Sequence, residues 1–410
     1  MTRTVIAAAG LALTFVFGLQ VSSSRAQEAC PPDTIAVADG CVPAAEAAGR
    51  IEQIVQTAMA DKKLKAAIVG IQIDGNRVME RAWGESMTDV PARPDMHFRN
   101  GAIAIAYIGT VLLQLQEQGI LNLDDKLSGW FPDYPKADEI TLRMLIDCTS
   151  GYADYVNLDV LPLYDDPFRH WYAEELVEIG LGQPMLCEPG ECWSYAHTNF
   201  VILGLVMEQA TGRRLDELIE EGILIPLALS GTRSEETAII PEPVLHAFTA
   251  ERGTYEESTF WNPSWTLAQG AIMTTSIGDV LTSAEAIGEG WLLSPESRAA
   301  QLEPLTAGVA PWSDEVYYGL GVFSINGWIV QNPSFHGYAA TMAYLPARKL
   351  ALAVTVTLDP GASLDGNLST EVLKKIAAYL APDAPTYVVS TAGSNHDPIH
   401  LRDLRDAVSR

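Results

Sequence analysis

The chain is poor in positive charge. Against 52 Asp and Glu it carries only 26 Lys and Arg over 410 residues, a formal net charge of −26. A field of that sign opposes nucleic acid and anionic lipid, so no nucleic-acid partner is expected. Long apolar runs are also missing. The stretch from Val5 to Leu19 is short for a membrane span. With Arg3 before it and Ser24-Arg25-Ala26 after it, it reads as a secretory signal peptide over residues 1–26, with no stable membrane span once that is cleaved. A periplasmic or secreted location follows. The sequence has no Gly-rich phosphate loop, no dinucleotide fingerprint and no Gly-x-Ser-x-Gly elbow. No His/Cys set has zinc-ligand spacing, so neither a metal nor another cofactor is expected.

Cysteine is scarce too, with five residues. Cys30 and Cys41 bracket a Pro- and Gly-containing segment, and Cys187 and Cys192 bracket the turn sequence Glu188-Pro189-Gly190-Glu191. In an oxidising compartment both pairs could close as disulfides. Cys148 is left over, in an apolar context that suits a buried thiol.

The remaining pattern is rich in periodicity. Residues 27–50 read as an N-terminal arm, 51–382 as one folded domain and 383–410 as a polar tail. Ile51 to Ala60 has helical spacing. Ala66–Ile73 and Val78–Trp83 flank Asp74-Gly75-Asn76 as a β-hairpin. Gly101 to Gly119 is apolar on nearly every side, which predicts a buried helix. Further helices are expected over Thr141–Thr149, Ala173–Leu181, Phe200–Thr211, Leu215–Glu221 and Gly278–Ala286, the last capped from Thr274-Thr275-Ser276. Strands return at Tyr318–Ile325, Trp328–Gln331, Thr341–Leu345 and Leu350–Thr357, and a final helix spans Leu368–Leu380. Strands at both ends with helices between predict an α+β fold: an antiparallel sheet built from about 51–100 and 310–382, with a helical region inserted at about 101–309.

Three motifs bear on chemistry. The first is Phe98-Arg99-Asn100-Gly101-Ala102-Ile103-Ala104-Ile105, followed by the apolar helix, Leu123-Asp124-Asp125 and Thr149-Ser150-Gly151. This context resembles the β-lactamase-like serine hydrolase family (class C β-lactamases, penicillin-binding proteins, D-aminopeptidases and esterases). The resemblance implies a nucleophilic Ser after the glycine and a Lys three places on, one helical face sharing both. Ala102 and Ile105 stand there, with no hydroxyl and no titratable group. The second is Tyr195-Ala196-His197, where the resemblance implies Tyr-x-Asn. Tyr195 matches a general base or proton relay, and His197 can give or take a proton near neutrality. The third is Gln331-Asn332-Pro333, at the place of a Lys-Thr-Gly or His-x-Gly triplet. It has no cation, and its proline lacks an N–H. A short gap could instead bring His336-Gly337 to that place.

Other features have blander readings. Ser150 reads as a helix-end cap, Ser194 and Ser334 as loop hydroxyls, and the Tyr255, Phe260, Trp261, Trp265 cluster as packing. The expectation is a secreted β-lactamase-related domain without acyl-enzyme chemistry, binding a small peptide, ester or amide ligand or a protein partner. The alternative is an esterase-, amidase- or peptidase-type hydrolase working through Tyr195 and His197.

Overall fold

A computed structural model describes residues 30–31, 33–37, 40–156 and 162–386. The expected signal peptide and residues 387–410 of the expected tail lie outside the described residues. The chain opens with an antiparallel pair, β1 (Thr34–Val37) and β2 (Gly40–Pro43), then helix α1 (Ala44–Lys62). Strands β3 (Leu64–Ile73), β4 (Asn76–Met87), β5 (Val90–Pro91) and β6 (Phe98–Arg99) follow. The middle of the chain holds α2 (Ile103–Glu117), α3 (Leu142–Ile146), α4 (Ala173–Leu181), α5 (His197–Thr211) and α6 (Leu215–Ile219). Short strands β7 (Arg233–Ser234), β8 (Phe248–Thr249), β9 (Glu256–Glu257) and β10 (Met273–Thr275) precede α7 (Ile277–Glu289) and α8 (Pro295–Gln301). The chain ends in β11 (Val316–Tyr318), β12 (Phe323–Ile325), β13 (Trp328–Gln331), β14 (Ser334–Phe335), β15 (Tyr338–Leu345), β16 (Leu350–Leu358) and α9 (Leu368–Leu380).

The fold is α+β. One antiparallel sheet runs β11-β12-β13-β15-β16-β3-β4-β5, with β14 added on β15. Its seam is β16 against β3, where Val354 faces Val69 and Ala353 faces Gly70. That pairing joins the two chain ends and buries both strands. α1 and α9 pack together and onto β3 and β16, while α7 also packs onto β3, β15 and β16. α7 starts where Ser276 accepts a hydrogen bond from Asp279 N at 3.3 Å, the cap the sequence offers.

Four local readings shift. The segment expected as an arm carries β1–β2, tied by the Cys30–Cys41 disulfide, with Ile35 and Val37 in the core. α1 begins at Ala44, ahead of the periodic stretch. The helix expected to reach Thr149 stops at Ile146, because Cys148 turns to φ +63. Tyr318–Ile325 is two strands rather than one. Gly319 N bonds Val322 O at 2.8 Å in a tight turn, and that turn rests on α2.

The contact between turn and helix needs glycine. A Cβ at Gly109 would lie 2.5 Å from Leu320 O. Gly109→Ala therefore destabilises the protein by about 1–3 kcal/mol in urea unfolding, although alanine is the better helix former.

Asp147, at the end of α3, is buried and accepts from Thr149 N at 3.0 Å and Thr149 Oγ1 at 2.6 Å. Burial outweighs these bonds and pushes its carboxyl up to about 6. An acid whose folded pKa is raised gives stability that is full below its unfolded value near 4 and is lost as pH rises through the folded value. Asp147→Asn is expected to flatten the stability profile between pH 4 and 6. It should raise stability at pH 7 to 8 by on the order of 2–3 kcal/mol, read from chemical denaturation across pH.

Candidate functional site

The N-terminus of α2 sits against the β13–β14 edge. Gly101 makes this possible: it has φ +54, and a Cβ there would stand 2.5 Å from Pro333 Cβ and 2.7 Å from Phe335 Cε1. Ala102 follows as the helix N-cap, with no side-chain cap. Its N–H donates to no described residue, and it opens on a cavity of about 210 Å³. Ile105 does not reach that cavity. It is fully buried, in the face of α2 that packs beneath the Gly319–Val322 turn.

The loop before α5 brings a second set. The Cys187–Cys192 disulfide closes the preceding turn, and Ser194 N bonds Cys148 O at 2.9 Å. Tyr195 then packs edge-on against the His197 ring at 5.1 Å and against Phe200 at 5.4 Å. Burial pushes its phenol well above the ordinary range, and Cys148 and Asp154 push the same way. No Lys or Arg lines the cavity among the described residues. The Tyr195 phenol is thus held in its neutral form.

His197 has a partner the sequence did not reveal. Its Nδ1 lies 3.1 Å and 3.2 Å from the two carboxylate oxygens of Asp154, and its backbone N–H donates to Asp154 Oδ1 at 3.1 Å. A carboxylate only accepts, so Nδ1 directs its proton at Asp154. The Nε2 of that ring has no hydrogen-bond partner among the described residues, and His197 lines the cavity. Asp154 lies 43 residues upstream. A general-base histidine needs an orienting acceptor, which was the one signal that could have prompted a search for it.

On the strand side, Gln331, Asn332 and Pro333 all reach the cavity wall. Gln331 spends its amide on Gly321 O at 2.6 Å, and Asn332 Nδ2 bonds Thr370 Oγ1 at 3.4 Å. The missing N–H of Pro333 does not leave the edge without a donor. Ala340 N bonds Pro333 O at 3.0 Å while Ser334 faces Ala339. In that register Ser334 is the non-bonded member, and its N–H points away from β15. Ser334 and Ala102 both line the cavity, and neither backbone N–H has a hydrogen-bond partner among the described residues.

One cavity therefore gathers Ala102, Tyr195, His197, Gln331, Asn332 and Pro333, and leaves out Ile105. His336, placed at the site only under the alternative register, lines it as well without displacing Gln331 from β13. Trp265 also lines it, although its cluster reads as packing; Trp261 is buried and Phe260 is exposed. Ser150 is not a helix cap: it accepts from Tyr152 N at 3.1 Å and donates to Asn199 Oδ1 at 2.7 Å. Cys148 is a fully buried thiol held protonated by burial. Among the described residues no cluster of three His, Cys, Asp or Glu could hold a metal ion, and no helix is long and apolar enough to cross a membrane.

The family model described as Beta-lactamase matches residues 51–375. Esterase EstB of Burkholderia gladioli is 24% identical over 315 residues, 68% of this chain and 80% of the esterase. Penicillin-binding protein 4* of Bacillus subtilis is 26% identical over 164 residues, 38% of this chain. The match spans about a third of the length of that relative (34%). In solved structures, a D-stereospecific amidohydrolase from Streptomyces sp. superposes with TM-score 0.71 at 24% identity, over 82% of this chain and 98% of that one. D-amino acid amidase from Ochrobactrum anthropi SV3 gives 0.70 at 20%, over 81% and 96%. These likenesses show the fold; the family match, which takes in the α2 frame, the Tyr195 loop and the β13 edge, shows that the chain belongs to the β-lactamase family.

Proposed function

We propose that this protein is a secreted or periplasmic ligand-binding member of its family that does not form an acyl-enzyme. One observation carries the reading. The position that opens onto the backbone donors holds Ala102, and the position three residues on holds Ile105, sealed in the core. An acyl-enzyme needs a hydroxyl or thiol at that point and a base to take its proton. The Ser and Thr hydroxyls on the cavity wall do not supply the pair. Thr266 Oγ1 is committed to Pro263 O at 2.7 Å, and Ser334 has no hydrogen bond to either histidine among the described residues. The two disulfides fit an oxidising compartment. The ligand class is a small amide, ester or peptide whose carbonyl or carboxylate meets the N–H groups of Ala102 and Ser334, with its body against Trp265, Phe323 and Phe335. A cavity of about 210 Å³ suits an amino-acid-sized compound rather than a long peptide. Incubation with excess fluorophosphonate and with benzylpenicillin, followed by intact mass spectrometry, is expected to show no adduct. A stoichiometric label mapped to one residue refutes this reading.

A second reading has its own support in the Asp154–His197 pair. A water on His197 Nε2 gives up its proton there as its oxygen attacks the ligand carbonyl. The oxyanion is held by the two N–H groups. The proton then passes to the leaving oxygen or nitrogen as its bond to carbon breaks. This route hydrolyses an ester without a covalent intermediate. It predicts a measurable turnover of p-nitrophenyl acetate above buffer that falls about 100-fold or more in His197→Gln. Turnover equal in wild type and variant discards it.

A further inference from the structure

The cavity that Ala102 lines is also lined by His336, Trp265 and Glu251. Glu251 lies between β8 and β9, with its side chain 14% exposed. Its charged oxygen has one side-chain partner among the described residues, His336 Nδ1 at 3.3 Å. Whether that imidazole neutralises Glu251 depends on its other nitrogen. His336 Nε2 receives the indole N–H of Trp265 at 3.0 Å. An indole nitrogen only donates, so Nε2 must present a lone pair. His336 is therefore the neutral Nδ1–H tautomer; an imidazolium would set two N–H groups against each other. The ring is fixed further by edge contacts with Trp261 at 4.9 Å and Trp265 at 5.1 Å.

Glu251 thus receives a hydrogen bond but no positive charge. Arg252 does not supply one: its guanidinium goes to Glu256 at 3.6 Å and to the face of Trp261 at 5.9 Å. A shielded carboxylate without a cation is costly, and a ligand cation entering the cavity removes that cost. Aromatic walls favour the same occupant. Trp265 and Phe335 share the lining with Glu251, and ring faces attract ammonium groups.

We propose that Glu251 is the cation receptor of this cavity, so that the ligand carries a protonated amine beyond its carbonyl. This rests on the binding-cavity reading above, which places the carbonyl at Ala102 and Ser334. The test compares phenylalaninamide, in both enantiomers, with 3-phenylpropionamide, which lacks only the amine. Calorimetric titration is run at pH 6.5 on the full chain and on Glu251→Gln. Wild type is expected to bind one enantiomer of the cation at least 10-fold more tightly than the neutral amide. Glu251→Gln should bind both compounds alike while keeping its affinity for the neutral one. Equal affinities in wild type, a measurement that needs no variant, overturn the proposal and leave the binding cavity standing. So does a preference that survives in folded Glu251→Gln. Binding of neither compound to wild type overturns the cavity reading and this proposal together.

Discussion

The site depends on how closely the start of α2 approaches the β13–β14 edge. Only a residue without a side chain fits between Asn100 and Ala102, because Pro333 and Phe335 occupy the space a Cβ would need. The approach turns the Ala102 N–H outward and sets it in one cavity wall with Ser334. It is a property of backbone and sheet register, and neither depends on the identity of residue 102. Loss of a reactive side chain there leaves the shape intact.

The neighbouring side chains are chemically consistent with one another. Ile105 adds apolar packing to a helix that is already buried on most sides. Gln331 brings an amide that bonds Gly321 O, so no charge is left unpaired there. With no ammonium on the wall, nothing lowers the Tyr195 phenol, and burial holds it neutral. Among the described residues that line the cavity, the one carboxylate is Glu251 and no Lys or Arg stands with it.

Much of the fold was legible where periodicity is strong. α9 and β13 fall on the predicted residues, because a 3.6-residue stripe and an Asn326-Gly327 turn leave little choice. The split between β11 and β12 was missed. Aromatic and apolar residues on both sides read as one run, although Gly319 and Gly321 stand at the break, and Gly321 has φ +80. The site was legible in part for the same reason. Ala102, Tyr195 and Gln331 sit in motifs with fixed spacing, so one cavity could be expected of them. Asp154 and Glu251 belong to no motif. They meet His197 and His336 through tertiary packing, and a sequence of 52 acidic residues gives no reason to choose these two.

The two histidines of the cavity show why residue type alone does not assign a role. His197 and His336 both direct Nδ1 at a carboxylate. What differs is the far nitrogen. Trp265 covers Nε2 of His336 with a donor, which uses up its lone pair and fixes the ring as a neutral strut for Glu251. No described residue covers Nε2 of His197, and that ring lines the cavity. One imidazole is thereby held at both nitrogens, and the other at Nδ1 only. Which of the two a ligand uses depends on where its carbonyl and its amine fall between Ala102 and Glu251.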